Sequence, residues 1–107
     1  MATPAIVIPT LPAKEALILA LLVAAEELYG LDLVHRSKGL LKRGTVYVTL
    51  GRMEKKGFLK SRLEAPPADE GGMPRRLYAP TPLGLRVHEA RKKLARDLRR
   101  LRMEFAK

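Results

Sequence analysis

Cysteine, tryptophan, asparagine and glutamine are all missing from this chain. Without cysteine there is no disulfide framework, no iron–sulfur cluster and no cysteine-ligated zinc, and a reducing compartment is the default environment. Thermolabile side chains are depleted and Arg is preferred to Lys, a bias that either a thermophilic source or a GC-rich genome produces. Histidine is scarce as well. His35 and His88 stand alone in helical segments, with no matching acid and nucleophile pattern and no phosphate-binding glycine loop, so neither an enzyme nor a metal site is expected. No cofactor is expected, and the residue pattern leaves the existence and identity of a small-molecule effector open.

A long hydrophobic run is also lacking. The apolar stretch Ala16–Ala25 covers ten residues, against the roughly 20 that a membrane span requires. Only Lys14 precedes it as a positive charge within the helical segment, and Glu26 and Glu27 follow at once, which is poor grammar for a signal peptide. The cytoplasm is the expected compartment, with no membrane partner.

What is present in excess is positive charge. A formal net charge of +10 on 107 residues exceeds what solubility needs and favours a polyanionic partner. The length allows one domain with one modest core.

Residues 1–9 are small, apolar and punctuated by proline, and are expected to form an extended arm. Thr10 or Leu11 can cap a helix that begins at Pro12 and continues to Leu28. Because Ala16–Ala25 is apolar all the way round, this helix must be covered on several sides, either by a partner chain, with Leu19 and Leu22 in the interface, or by its own core. Tyr29 and Gly30 break it, and Leu31–Ser37 form a short second helix that ends near Gly39. After a turn at Leu41–Gly44, Thr45–Lys56 is expected to be a third helix, with Val46, Leu50 and Met53 on one face and Gly57 as its stop.

Phe58–Glu64 alternates apolar with charged residues, as a half-buried strand does, and Arg75–Ala79 returns as its hairpin partner after the Pro, Gly and acid-rich loop 65–74. Asp69 and Glu70 in that loop would repel a polyanion, so its tip is expected to point partly away. Thr81 followed by Pro82 is a strong start signal for a last helix. In it Leu83, Val87, Ala90, Leu94, Leu98, Leu101 and Phe105 recur at spacings of three and four, the seam of an amphipathic helix that outruns so small a domain. The fold class is thus mostly α with a small β-hairpin, divided into an arm (1–9), a winged helix-turn-helix (10–80) and a terminal helix (81–107).

Helix, helix, helix, strand, loop, strand is the layout in which the third helix enters the major groove of DNA and the hairpin touches the flanking backbone. Blocks of residues make the likeness more specific. Leu28-Tyr29-Gly30, Gly44–Leu50, Arg52–Leu59, and then Pro74-Arg75-Arg76-Leu77-Tyr78 with Thr81 and Gly84 closely resemble the signature of PadR-like regulators over most of residues 14–86. Val48 stands where that family usually has proline. The resemblance implies a homodimeric, usually repressing transcription factor that binds double-stranded DNA, with a C-terminal helix for dimerisation. The dimer surface would comprise Leu19, Leu22, Val87, Leu94, Leu98, Leu101 and Phe105.

Read by angle, the third helix turns Thr45, Val48, Gly51, Arg52 and Lys55 outward. Without Asn or Gln the bidentate amide contact to adenine cannot be made, so base reading falls to Arg52 on guanine, to Thr45 and Thr49 hydroxyls, and to the methyls of Val48 or Thr45 on thymine. Arg52 can equally hold a phosphate or pair with Glu54. Tyr47 combines packing with a phosphate hydrogen bond, or packs only. Lys42 and Arg43 before the helix, and Arg75 and Arg76 at the hairpin, suit phosphates or the minor groove. Gly51 signals either close approach of a partner or a tolerated glycine. The alternative reading is a basic winged helix that binds DNA or RNA without strong sequence preference.

Overall fold

The computed structural model describes residues 11–65 and 72–106. The arm, the loop tip with Asp69 and Glu70, and Lys107 lie outside the described residues. The order of elements is α1 (Ala13–Ala25), β1 (Leu28–Tyr29), α2 (Gly30–Arg36), α3 (Val46–Lys55), β2 (Leu59–Glu64), β3 (Arg75–Pro80) and α4 (Pro82–Phe105).

One core organises the first four-fifths of the chain. Ile18, Leu19 and Leu22 of α1, Leu33 of α2 and Leu50 and Met53 of α3 are fully enclosed, and Leu28, Phe58, Leu59, Tyr78 and Val87 close the cluster. Most of the apolar circumference of α1 is answered within the chain, since α2, α3, α4 and β3 pack on it, while Ala16, Leu17, Ala20, Leu21 and Val23 stay half-buried along its remaining side. This corrects the expectation for Leu19, Leu22 and Val87, which have no surface left to offer a partner. A carboxylate is enclosed with them. Glu15 is 1% exposed and accepts from the Lys56 ammonium at 2.9 Å, which ties α1 to the end of α3 across 41 positions of sequence. Its buried charge is thereby paired, as such groups must be.

The sheet has three strands in the order β1-β3-β2, all antiparallel. The alternation pattern predicts only two. Helix α1 stops at Ala25, with Glu26 in the left-handed region at φ 75°, because Leu28 and Tyr29 leave the helix to pair with Tyr78 and Leu77. The expected hairpin is present, with its register running from Leu59 opposite Pro80 to Glu64 opposite Arg75.

Thr81 and Pro82 start α4 as their types dictate. The Thr81 hydroxyl accepts from the Gly84 N–H at 3.0 Å and donates to the Gly57 carbonyl at 2.5 Å, while its N–H donates to the Phe58 carbonyl at 3.0 Å. The first caps the helix, and the other two pin α4 to the turn that ends α3. Gly84 sits so close to that turn that a Cβ there would strike the Phe58 carbonyl oxygen. Beyond Ala90 the helix leaves the core: Leu94, Leu98, Leu101 and Phe105 are 38%, 51%, 48% and 83% exposed. The molecule is accordingly 62 Å long and its radius of gyration is 17.1 Å, against about 13 Å for a compact chain of this size.

Candidate nucleic-acid interface

The inner face of α3 sets its outer one. Val46, Leu50 and Met53 are fully buried at spacings of four and three, which turns the opposite side of the helix to solvent. There Thr45, Tyr47, Val48, Arg52 and Lys55 are exposed, and Thr49 is half-buried. Val48, at 63% exposure, is an apolar β-branched side chain held in water. Gly51 meets nothing from within the chain, since a Cβ there would stand in open space. Lys42 and Arg43 are exposed just before the helix, and the Lys42 carbonyl accepts from the N–H groups of Thr45 and Val46 at 3.2 and 3.0 Å, so this turn is continuous with α3. The Thr45 and Thr49 hydroxyls donate back to carbonyls one turn earlier, of Lys42 and Thr45, at 3.5 and 3.3 Å.

Charge on this face is unbalanced. Among the described residues no carboxylate pairs with Lys42, Arg43, Arg52 or Lys55. Glu54, the alternative partner of Arg52, is taken by another group: it accepts from the Ser61 hydroxyl at 2.9 Å. Ser61 in turn accepts from Arg76 at 3.0 Å. Arg76, Ser61 and Glu54 thus form a chain of hydrogen bonds that links β3 through β2 to α3.

The neighbouring Arg75 points elsewhere. Its guanidinium lies over the Tyr29 ring, 4.4 Å from the centroid, a cation–π contact. The Tyr29 hydroxyl donates to Glu64 at 2.5 Å, and this hydrogen bond is the main reason its pKa lies above the ordinary 10.0. Burial raises the Tyr78 phenol in the same direction. Tyr47 packs its ring on Gly30 at the start of α2, where any side chain would collide with it, and keeps its other edge exposed. A cleft of about 380 Å³ lies where Tyr29, Tyr47, Tyr78, Arg75 and Arg76 converge.

The structure therefore brings Lys42, Arg43, Thr45, Tyr47, Val48, Thr49, Arg52 and Lys55 to one continuous surface and sets Arg75 and Arg76 at its side, across the cleft from Tyr47. Sequence reasoning missed Tyr29, Glu64 and Ser61. The one available sign was the lone serine in the middle of an otherwise alternating strand. Among the described residues no cluster of His, Asp and Glu could hold a metal, and no helix is long and apolar enough to cross a membrane.

Comparison with known proteins agrees with this arrangement. A PadR family transcription regulator from Clostridium difficile R20291 superposes with a TM-score of 0.72 at 26% identity, covering 90% of this chain and all of that one. A PadR family transcriptional regulator from Eggerthella lenta DSM 2243 gives 0.68 at 25% identity, over 86% of this chain and 82% of the other. A regulator from Clostridium thermocellum, 23% identical, shares the fold with a TM-score of 0.61 over 86% of this chain and 91% of its own. No protein of curated function matches in sequence. The family model of PadR-like transcriptional regulators matches residues 18–90, from the first buried turn of α1 into α4. The chain belongs to the PadR-like family of transcriptional regulators, which are not enzymes.

Proposed function

We propose that the chain is a homodimeric, sequence-specific regulator that binds an inverted repeat in double-stranded DNA, acting in the cytoplasm as a repressor. The observation that carries this reading is the outward face of α3. Arg52 and Lys55 stand there beside exposed Val48 and Thr45, paired with no carboxylate among the described residues, with Lys42 and Arg43 at one end. A cation free of carboxylates, flanked by a methyl-bearing side chain, is what reading guanine and thymine edges in a major groove requires. Arg75 and Arg76 are placed to meet the backbone beside it. The exposed stripe of Leu94, Leu98, Leu101 and Phe105 supports the dimer, because so continuous an apolar face on a small chain calls for a covering partner. Repression is the mode that membership of this family favours.

Two copies of α3 entering successive major grooves need half-sites about 34 Å apart. Selection of bound sequences from random duplexes is expected to return a palindrome. Within that site Arg52→Ala is expected to cost about 1–3 kcal/mol and relax preference at one base pair per half-site. Arg76→Ala is expected to weaken all sequences alike and lower the salt slope by roughly one unit for each phosphate it no longer neutralises. An Arg52 variant that binds specific and scrambled duplexes more weakly by the same factor moves that residue from base edges to phosphates. A selection that returns no preferred sequence moves the protein to the non-specific class.

A further inference from the structure

The outer side of α4 carries a second concentration of charge that the reading helix does not use. Between Ala90 and Phe105, Lys92, Lys93, Arg96, Arg99 and Arg100 are all exposed. At about 100° per residue these five fall within a sector of roughly 120°, centred opposite the stripe of Leu94, Leu98, Leu101 and Phe105. They climb the helix over only about 12 Å, at 1.5 Å per residue. Acidic residues do little to offset them. Asp97 and Glu104 stand between the basic sector and the apolar stripe by the same angular count, but among the described residues neither forms an ion pair with the five, and Glu89 meets Lys92 only at 3.8 Å on the surface, where such a pair is worth little.

Five like charges this close repel one another and are not needed to hold the helix, whose start is fixed by Thr81 and whose apolar side is reserved for a second copy. Covering that stripe leaves the basic face pointing outward in the assembled dimer. The same requirement argues against a membrane surface, since an interfacial helix must sink its apolar side into lipid. The face is therefore left with charge alone, which matches a duplex bearing one phosphate charge per roughly 1.7 Å. It also stands apart from the reading surface: α4 meets the end of α3 at its own start, through Thr81 and Gly84, and beyond Ala90 it runs out from the core.

We propose that Lys92, Lys93, Arg96, Arg99 and Arg100 form a second, sequence-independent DNA surface that holds the phosphate backbone of a duplex segment other than the one α3 enters. This rests on the reading of the chain as a DNA-binding dimer. Its consequence is that one dimer joins two segments of duplex.

The test is capture. A short duplex carrying the selected site is immobilised, the protein is added, and retention of a labelled duplex of unrelated sequence is measured across a salt series. The wild-type dimer is expected to retain the second duplex. The triple variant Arg96→Ala, Arg99→Ala, Arg100→Ala is expected to reduce that retention by about tenfold or more at moderate salt while holding the immobilised site. Lysine at the same three positions is expected to restore it, because only charge is required. Sedimentation and circular dichroism are run on each variant, which is expected to remain a folded dimer. Arg52→Ala is expected to relax preference for the selected site at one base pair per half-site yet retain capture once bound, so a failure of the reading helix and a failure of this surface give different patterns. Capture by the alanine variant equal to wild type overturns the proposal, as does a wild-type dimer that holds its site but no second duplex. Loss of binding to phosphatidylserine vesicles with capture unchanged also overturns it, and reassigns the face to membranes.

Discussion

Leucines behave in opposite ways in the two halves of this molecule. In α1, α2 and α3 those facing the core vanish from the surface: Leu19, Leu22, Leu33 and Leu50 are wholly enclosed, and only Leu17, Leu21 and Leu31 stay half-buried. In the second half of α4 the same residue type, at the same three-and-four spacing, stands about half exposed. Periodicity alone says only that a helix has an apolar side. What covers that side is decided by how many other elements are within reach, and α4 outruns them after Val87. The inner half closes its core within the chain, whereas the apolar side of the outer half stays exposed and, in the proposed dimer, is the side that a second copy covers.

The largest expected effect tests the finished half. Leu50→Ala should cost about 2–5 kcal/mol of stability, from the burial it removes and the cavity it leaves, and that cost should be the same at every protein concentration. Denaturant titration at two concentrations checks both points. Leu98→Arg tests the other half. It should leave the circular dichroism of the core intact, remove the concentration dependence of melting that a dimer imposes, and sediment as a monomer at tens of micromolar, in the range of ordinary dimer affinities. A Leu98→Arg protein that remains a dimer removes the distinction drawn between the halves.

Smaller in effect is the joint between them. Alanine normally stabilises a helix relative to glycine by about 1 kcal/mol. At Gly84 the sign should reverse, to a destabilisation of about 1–3 kcal/mol, because the added methyl meets the Phe58 carbonyl. At Gly51, where the space is open, the ordinary gain should appear. Thermal melts of the two variants side by side show whether the two glycines differ as described.

The smallest effect concerns the wing. Tyr29 has its pKa raised above 10.0, first by the hydrogen bond to Glu64 and then by burial. A raised acid favours the protonated folded form, so its contribution is fully present below pH 10.0 and fades as pH rises through the higher folded value. Tyr78 shifts the same way. Tyr29→Phe should therefore flatten, without removing, the decline of stability in alkaline denaturation series, and an unchanged slope would remove the role assigned to the Glu64 hydrogen bond.

Local signals carried most of the fold. Thr81-Pro82, Gly57 after Lys56, and the Val46, Leu50, Met53 face are all short-range patterns, and each appears where expected. What stayed hidden was non-local. β1 is two residues long and exists only because the distant β3 pairs with it. The Glu15–Lys56 ion pair and the enclosure of Leu19 and Leu22 depend likewise on distant elements. At the candidate site the outward residues of α3 follow from helical angle, while the link from Arg76 through Ser61 to Glu54 depends on strand register and a turn.

The bonds from Thr81 to Gly57 and Phe58 make the start of α4 a hinge point with almost no play. From it extends a rod of 24 residues, about 36 Å at 1.5 Å per residue. On a lever of that length a tilt of about 10° displaces the far end by roughly 6 Å, close to one helical turn. The distance between the two reading heads of a dimer is then a quantity calibrated at one glycine and one threonine. Changing it calls for no new contact with DNA at all. In the proposed dimer, altering how the rod leaves its socket would change the operator spacing that the same reading helix fits.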